Sequence, residues 1–124
     1  MTRSEDLDRF FDGRPEARAL FDAVQARIAA LGVDGVRLRV TKSQVAFSRR
    51  RGFAWAWTPD RYLRGRTAPL VLSIALGRRD GSARWKEVVQ PAPARWMHHL
   101  ELTDAAQLDV EVDAWLSEAA AGAA

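Results

Sequence analysis

The chain has no cysteine, a single tyrosine, two histidines and two lysines among 124 residues. Without cysteine there is no disulfide framework, no thiol nucleophile and no thiolate-ligated metal. No stretch approaches the roughly 20 apolar residues of a membrane span. The opening residues, MTRSEDLDRFFDG, are charged and lack the apolar core of a secretory signal. A cytoplasmic domain with no membrane partner is the expectation. Catalytic signatures are missing too: no serine sits in a nucleophile elbow and no glycine-rich run matches a phosphate loop. The two histidines, His98 and His99, are adjacent on a predicted strand and so point to opposite faces. No carboxylate cluster with metal spacing surrounds them. No catalytic residue, metal or cofactor is therefore expected.

Arginine and tryptophan are what the chain does have, the latter five times. Its net charge of +3 hides a segregation. Residues 36–99 carry 14 Lys and Arg against Asp60, Asp80 and Glu87, a net of +11, whereas residues 1–35 carry −2 and residues 100–124 carry −6. A basic middle between acidic ends has two readings. The ends neutralise the middle within the fold, or the middle stays open for an anionic partner.

Hydrophobic period divides the chain. Residues 4–12 form a short helix ended by Gly13, and Pro15 opens a longer one in which Ala17, Leu20, Phe21, Val24, Ile28 and Leu31 recur at helical spacing. The period then falls to two: Val36, Leu38 and Val40 alternate with Arg37, Arg39 and Thr41. Residues 41–58, TKSQVAFSRRRGFAWAWT, read as a hairpin. A three-residue loop, Arg50-Arg51-Gly52, with a left-handed Gly52 places Phe47 opposite Trp55 and Val45 opposite Trp57. That register gathers the large apolar side chains on one face and leaves Ala46, Ser48, Ala54 and Ala56 on the other. Leu70–Leu76 is apolar on both faces and reads as a central strand. Residues 77–94 read as a long loop with a helical turn near 83–88. A fifth strand spans Arg95–Leu102, Asp104 and Gln107 make a capping box, and a closing helix runs to about Ala121 before a frayed AAAGAA tail. The expected class is α+β: one domain, an antiparallel sheet of about five strands, with an N-terminal helical pair and a C-terminal helix packed on it.

If the strands follow one another as a meander, Lys42, Arg61, Arg64 and Arg66 fall at one end of the sheet. Arg49, Arg50, Arg51, Arg78, Arg79, Arg84 and Lys86 then fall at the other. The leading functional expectation is a non-enzymatic binding module for an anionic partner: nucleic acid, an acidic protein or an anionic small ligand. Lys42, Arg49, Arg50, Arg51, Arg78, Arg79 and Lys86 supply charge, and Trp85 supplies a ring for stacking. A second expectation is a small-molecule-binding protein or enzyme with a polar pocket near His98 or His99. A third is a structural interaction domain or homodimer docked through its acidic last helix.

The runs VTKSQVAFSRRRGFAWAW, PLVLSIAL and RWMHHLELTDAAQLDVEVDAWLSEA also resemble an uncharacterised bacterial domain-of-unknown-function family, family 5655. The resemblance covers the chain from the first long helix onward, and residues 41–53 are its most specific part. It implies a stand-alone α+β domain. It implies no activity, so no catalytic residue is carried over from it.

Overall fold

The computed structural model describes residues 2–124. Helix α1 (Arg3–Phe10) is capped by Thr2, whose Oγ1 accepts from the Glu5 N–H at 3.1 Å. Helix α2 (Pro15–Ala30) starts on proline, which has no N–H to leave unpaired in a first turn. Gly32 follows it in the left-handed region (φ 69°) that side-chain-bearing residues avoid. Six strands come next: β1 (Arg37–Val40), β2 (Val45–Ser48), β3 (Gly52–Trp57), β4 (Leu70–Leu76), β5 (Glu87–Ala92) and β6 (Arg95–Leu102). Helix α3 (Val110–Gly122) closes the fold. All neighbouring strands are antiparallel, in the order β1-β2-β3-β4-β6-β5.

The α+β class stands as expected, with the strand count corrected from five to six. The extra strand, β5, lies within what reads as a loop. Pro91 and Pro93 argue against a strand in sequence, but an edge strand tolerates proline because one of its sides has no ladder to complete. β5 is such an edge, with a pairing irregularity between Val89 and Ala92. β4, as expected, is interior and wholly buried.

The three helices lie over one face of the sheet. That face carries the row Leu38–Phe47–Ala54–Ile74–His98–Val88 across all six strands and the row Val40–Val45–Ala56–Leu72–Leu100 across five. Phe21 of α2 stacks on Phe47 with centroids 5.9 Å apart, and Phe11 packs on Phe21 at 5.1 Å. Val112, Trp115, Leu116, Ala119 and Ala120 are the buried face of α3. Fully burying one such large side chain stabilises by about 1.5–3 kcal/mol.

The hairpin register differs from the expectation. Val45 pairs with Ala56, Ala46 with Trp55 and Phe47 with Ala54, and a bulge between Phe47 and Ser48 sets Ser48 against Gly52. The aromatics are thereby sorted. Phe47 joins the core with Ala54 and Ala56, while Trp55 and Trp57 turn to the opposite face. Phe53, beside the bulge, is buried as well. Two alanines beneath α3, in place of two indoles, let the helix approach the sheet. Gly52 is not left-handed; the four glycines with positive φ are Gly13, Gly32, Gly35 and Gly65. It is glycine for another reason: a Cβ there would lie 2.6 Å from Cζ2 of Trp55.

The end of the chain is also more ordered than its composition suggests. α3 is helical through Gly122, and Ala119, Ala120 and Ala123 are buried. The Arg49–Arg51 turn closes over its C-terminus. The backbone N–H groups of Arg50 and Arg51 donate to the Ala123 carbonyl at 2.9 and 3.2 Å. The Arg49 guanidinium donates to the carbonyls of Ala120 and Asp34, both at 3.0 Å. Helix C-termini leave carbonyls unpaired and carry partial negative charge, which this cationic turn answers. The Asp104–Gln107 capping box forms as expected, though around a short 3-10 turn (Ala105–Gln107), and α3 itself is capped by Asp109.

The Gly52→Ala variant should lose about 1–3 kcal/mol of stability through overpacking against Trp55. Gly81→Ala, with nothing within 4 Å of its added methyl, should change stability by less than about 0.5 kcal/mol. Urea unfolding of the two variants side by side checks this, and equal midpoints would contradict it.

Candidate functional site

No helix covers the second face of the sheet. One continuous row crosses it: Arg39, Ala46, Trp55, Ser73, His99 and Glu87, each from a different strand and each paired with the next. A second row sets Trp57 beside Val71 and Glu101, and a third sets Ala75, Met97 and Val89 together. At one end the connection from β3 to β4 rises beside this face. Tyr62 meets the Trp57 ring edge-on at 6.0 Å, and its hydroxyl donates to the Ser43 carbonyl at 3.4 Å. Leu63 stands next to it; both are 58% exposed, high for large apolar side chains. The result is an open groove of about 780 Å³. Trp55, Trp57, Ser73, Met97 and His99 line it, with Tyr62, Leu63, Ser43, Gln44 and Glu87 around them.

A hydrogen-bonded chain lies in that groove. The indole N–H of Trp57 donates to Ser73 Oγ at 2.9 Å, and Ser73 Oγ is 2.7 Å from His99 Nδ1. An indole nitrogen donates only. Ser73 therefore accepts from Trp57 and shares a second hydrogen bond with His99 Nδ1. Burial holds the His99 ring below its ordinary pKa, against the pull of the Glu87 carboxylate. Ser73, Met97 and Tyr62 escape sequence reasoning. The one signal was Ser73 itself, the lone polar residue in the apolar strand LVLSIAL.

His98 faces the other way and is fully buried. Its Nδ1 donates to the Ile74 carbonyl at 3.3 Å, and its Nε2 accepts the Asp80 N–H at 2.9 Å. Burial lowers its pKa also, opposed by the bond to Ile74. Trp85 packs between His98 (4.9 Å) and Trp115 (4.1 Å), only 8% exposed, and donates its indole N–H to Asp80 Oδ2 at 2.9 Å. Its ring belongs to the core here rather than to an open stacking surface. Burial would raise the Asp80 carboxyl, but hydrogen bonds from Trp85, the Ser82 N–H and Arg78 outweigh it and hold the group low.

The basic residues do not share one end of the sheet. β6 lies between β4 and β5, so residues 77–86 leave the Arg49–Arg51 end and run back toward mid-sheet, where the Lys86 N–H meets the His99 carbonyl at 2.8 Å. Acidic α3 consumes much of the charge. Arg78 pairs with Glu118 at 2.8 Å and Asp80 at 3.0 Å, which raise its pKa. Arg84 pairs with Glu111 at 2.8 Å and Asp109 at 3.1 Å. Arg27 reaches Asp113 at 2.9 Å. Arg49 and Arg51 bond to carbonyls near the end of α3. The side chains of Lys42, Arg50, Arg79 and Lys86 are exposed. No group of three metal-ligating side chains occurs among the described residues, nor does any helix long and apolar enough to cross a membrane.

Long-range ¹H–¹⁵N spectra of the imidazoles should report His98 protonated at Nδ1, and Ser73→Ala should shift the ring signals of His99 while leaving those of His98 in place. Both rings bind a proton less readily folded than unfolded. Stability should therefore hold above the ordinary imidazole value of about 6.5 and decline as pH falls below it. Urea midpoints that rise on acidification over that window would contradict the assignment.

The family model described as "Domain of unknown function (DUF5655)" matches residues 7–120. No curated protein and no solved structure matches the chain. The match runs from within α1 almost to the end of α3, and the chain accordingly belongs to the DUF5655 family, whose description assigns no activity.

Proposed function

We propose that this protein is a small-molecule-binding domain whose ligand lies on the helix-free sheet face, over Trp55, Trp57, Met97 and His99. The groove carries the reading: concave, mostly apolar, with one preorganised polar group, it has the character of a ligand site. The Trp57–Ser73–His99 chain supports binding more than catalysis. Ser73 is only 3% exposed, and its oxygen already accepts an indole proton, so it is poorly placed as a nucleophile. His99, its Nδ1 held by Ser73, offers a ligand a polar ring of fixed orientation. A second reading, a weak site for nucleic acid or another anionic partner, rests on the exposed side chains of Lys42, Arg50, Arg79 and Lys86, none of which makes an ion pair among the described residues.

The test is a screen of small aromatic fragments of all charge types, followed through the Met97 methyl and His99 ring signals. Hits should shift both. Tyr62→Ala and Leu63→Ala, exposed enough to leave the fold intact, should each weaken a hit by roughly three- to tenfold. No fragment shifting either signal at millimolar concentration would overturn the groove reading. A labelled oligonucleotide bound at low salt and released by added salt would instead favour the basic residues.

A further inference from the structure

Resting on the groove reading, we infer that the ligand is an organic cation: a planar apolar body with a protonated amine or similar group. The argument is one of charge and ring complementarity. The chain carries 19 Lys and Arg against 16 Asp and Glu, yet no Lys or Arg is among the residues that line this groove. Its one ionised lining residue is Glu87, exposed at the β5 edge and paired in register with His99. Burial holds the His99 ring below its ordinary pKa, which favours its neutral form. The remaining surface is rich in π faces: Trp55, Trp57 and Tyr62. Aromatic faces attract cations through their quadrupole, by about 0.5–2 kcal/mol per contact.

The other charges on this face are accounted for. Arg95 lies over Trp55, its guanidinium carbon 5.5 Å from the ring centroid, and donates to the Gly52 carbonyl at 3.3 Å. It already uses Trp55 as a cation platform at the far end of the groove. Arg37 and Arg39 sit on β1, two strands beyond Trp55. Glu101 is paired with Val71 and adds a second carboxylate to the same face. Among the strand residues of this face, positive charge lies on β1 and at Arg95 and negative charge on β5 and β6; the exposed Lys42, Arg64, Arg66 and Lys86 lie close in the chain to lining residues without lining the groove themselves. Glu87 stands two strand spacings from Ser73, roughly 10 Å across the sheet. A ligand with its ring over Ser73 and His99 would carry an ammonium group on a two-carbon arm to Glu87, one strand spacing, roughly 5 Å, beyond His99.

Three probes of matched size separate the possibilities: 2-phenylethylamine, 2-phenylethanol and phenylacetate, each titrated while the Met97 methyl and His99 ring signals are followed. The amine should bind tightest and phenylacetate weakest. Glu87→Gln should weaken the amine by roughly two- to fivefold, the worth of an exposed ion pair, and leave the alcohol unchanged. Added salt should erase the same preference in the unaltered protein, which gives a measurement that needs no variant. An alcohol or phenylacetate that matches the amine overturns the cation assignment and leaves the groove reading standing, and an amine preference unchanged by Glu87→Gln overturns the role of Glu87 and assigns the selectivity to the aromatic faces. If none of the three shifts either signal, both fall.

Discussion

The structure depends on how Ser48 meets Gly52. The bulge there fixes the register of β2 on β3, and register decides which face every side chain of β3 takes, because strand side chains alternate. One residue of slippage would send Trp55 and Trp57 under α3 and expel Ala54 and Ala56. The helix would be pushed away from the sheet, and the groove would lose its aromatic floor. The same setting brings Trp57 opposite Val71 and within reach of Ser73, so the orientation of His99, two strands further on, is inherited from a hairpin turn. Gly52 makes the register tolerable by leaving space for the Trp55 ring.

Charge is organised around α3. Four of the six acidic residues in 100–124 pair with arginines from α2 and from the segment after β4. The arginine turn meets the carbonyls at the helix end. Exposed pairs of this kind contribute little individually, typically below about 1 kcal/mol. Their effect here is positional. They draw positive charge toward the helical layer, so the bare face of the sheet is poor in it except along β1 and at Arg95.

Much of this was legible in the sequence. Helical spacing from Ala17 to Ile28, period-two alternation from Val36 to Val40 and the apolar residues on both faces of β4 each report a local property, and each element formed where the pattern placed it. The acidic ends neutralising the basic middle was one of two stated alternatives. The hairpin face was misread for a physical reason: grouping four large aromatics seems to bury the most surface, but the core also needs small residues where α3 approaches, and local pattern cannot report what lies above a strand. β5 was missed because its prolines oppose a strand anywhere except at an edge, and edges are a property of topology. His99 was singled out, but its partners come from β3 and β4, 42 and 26 residues earlier, a juxtaposition only the sheet order creates.

The bond from the arginine turn to Ala123 has a further meaning for how the chain is made. The hairpin of β2 and β3 is complete by Trp57, yet the amides of Arg50 and Arg51 find their acceptor some 70 residues later. During synthesis the hairpin therefore emerges with its tip unsatisfied and its Ala54–Ala56 face bare. Neither is resolved until residue 123 has cleared the ribosome. Vectorial folding can assemble the sheet from β1 to β4, but the fold locks only once α3 has followed.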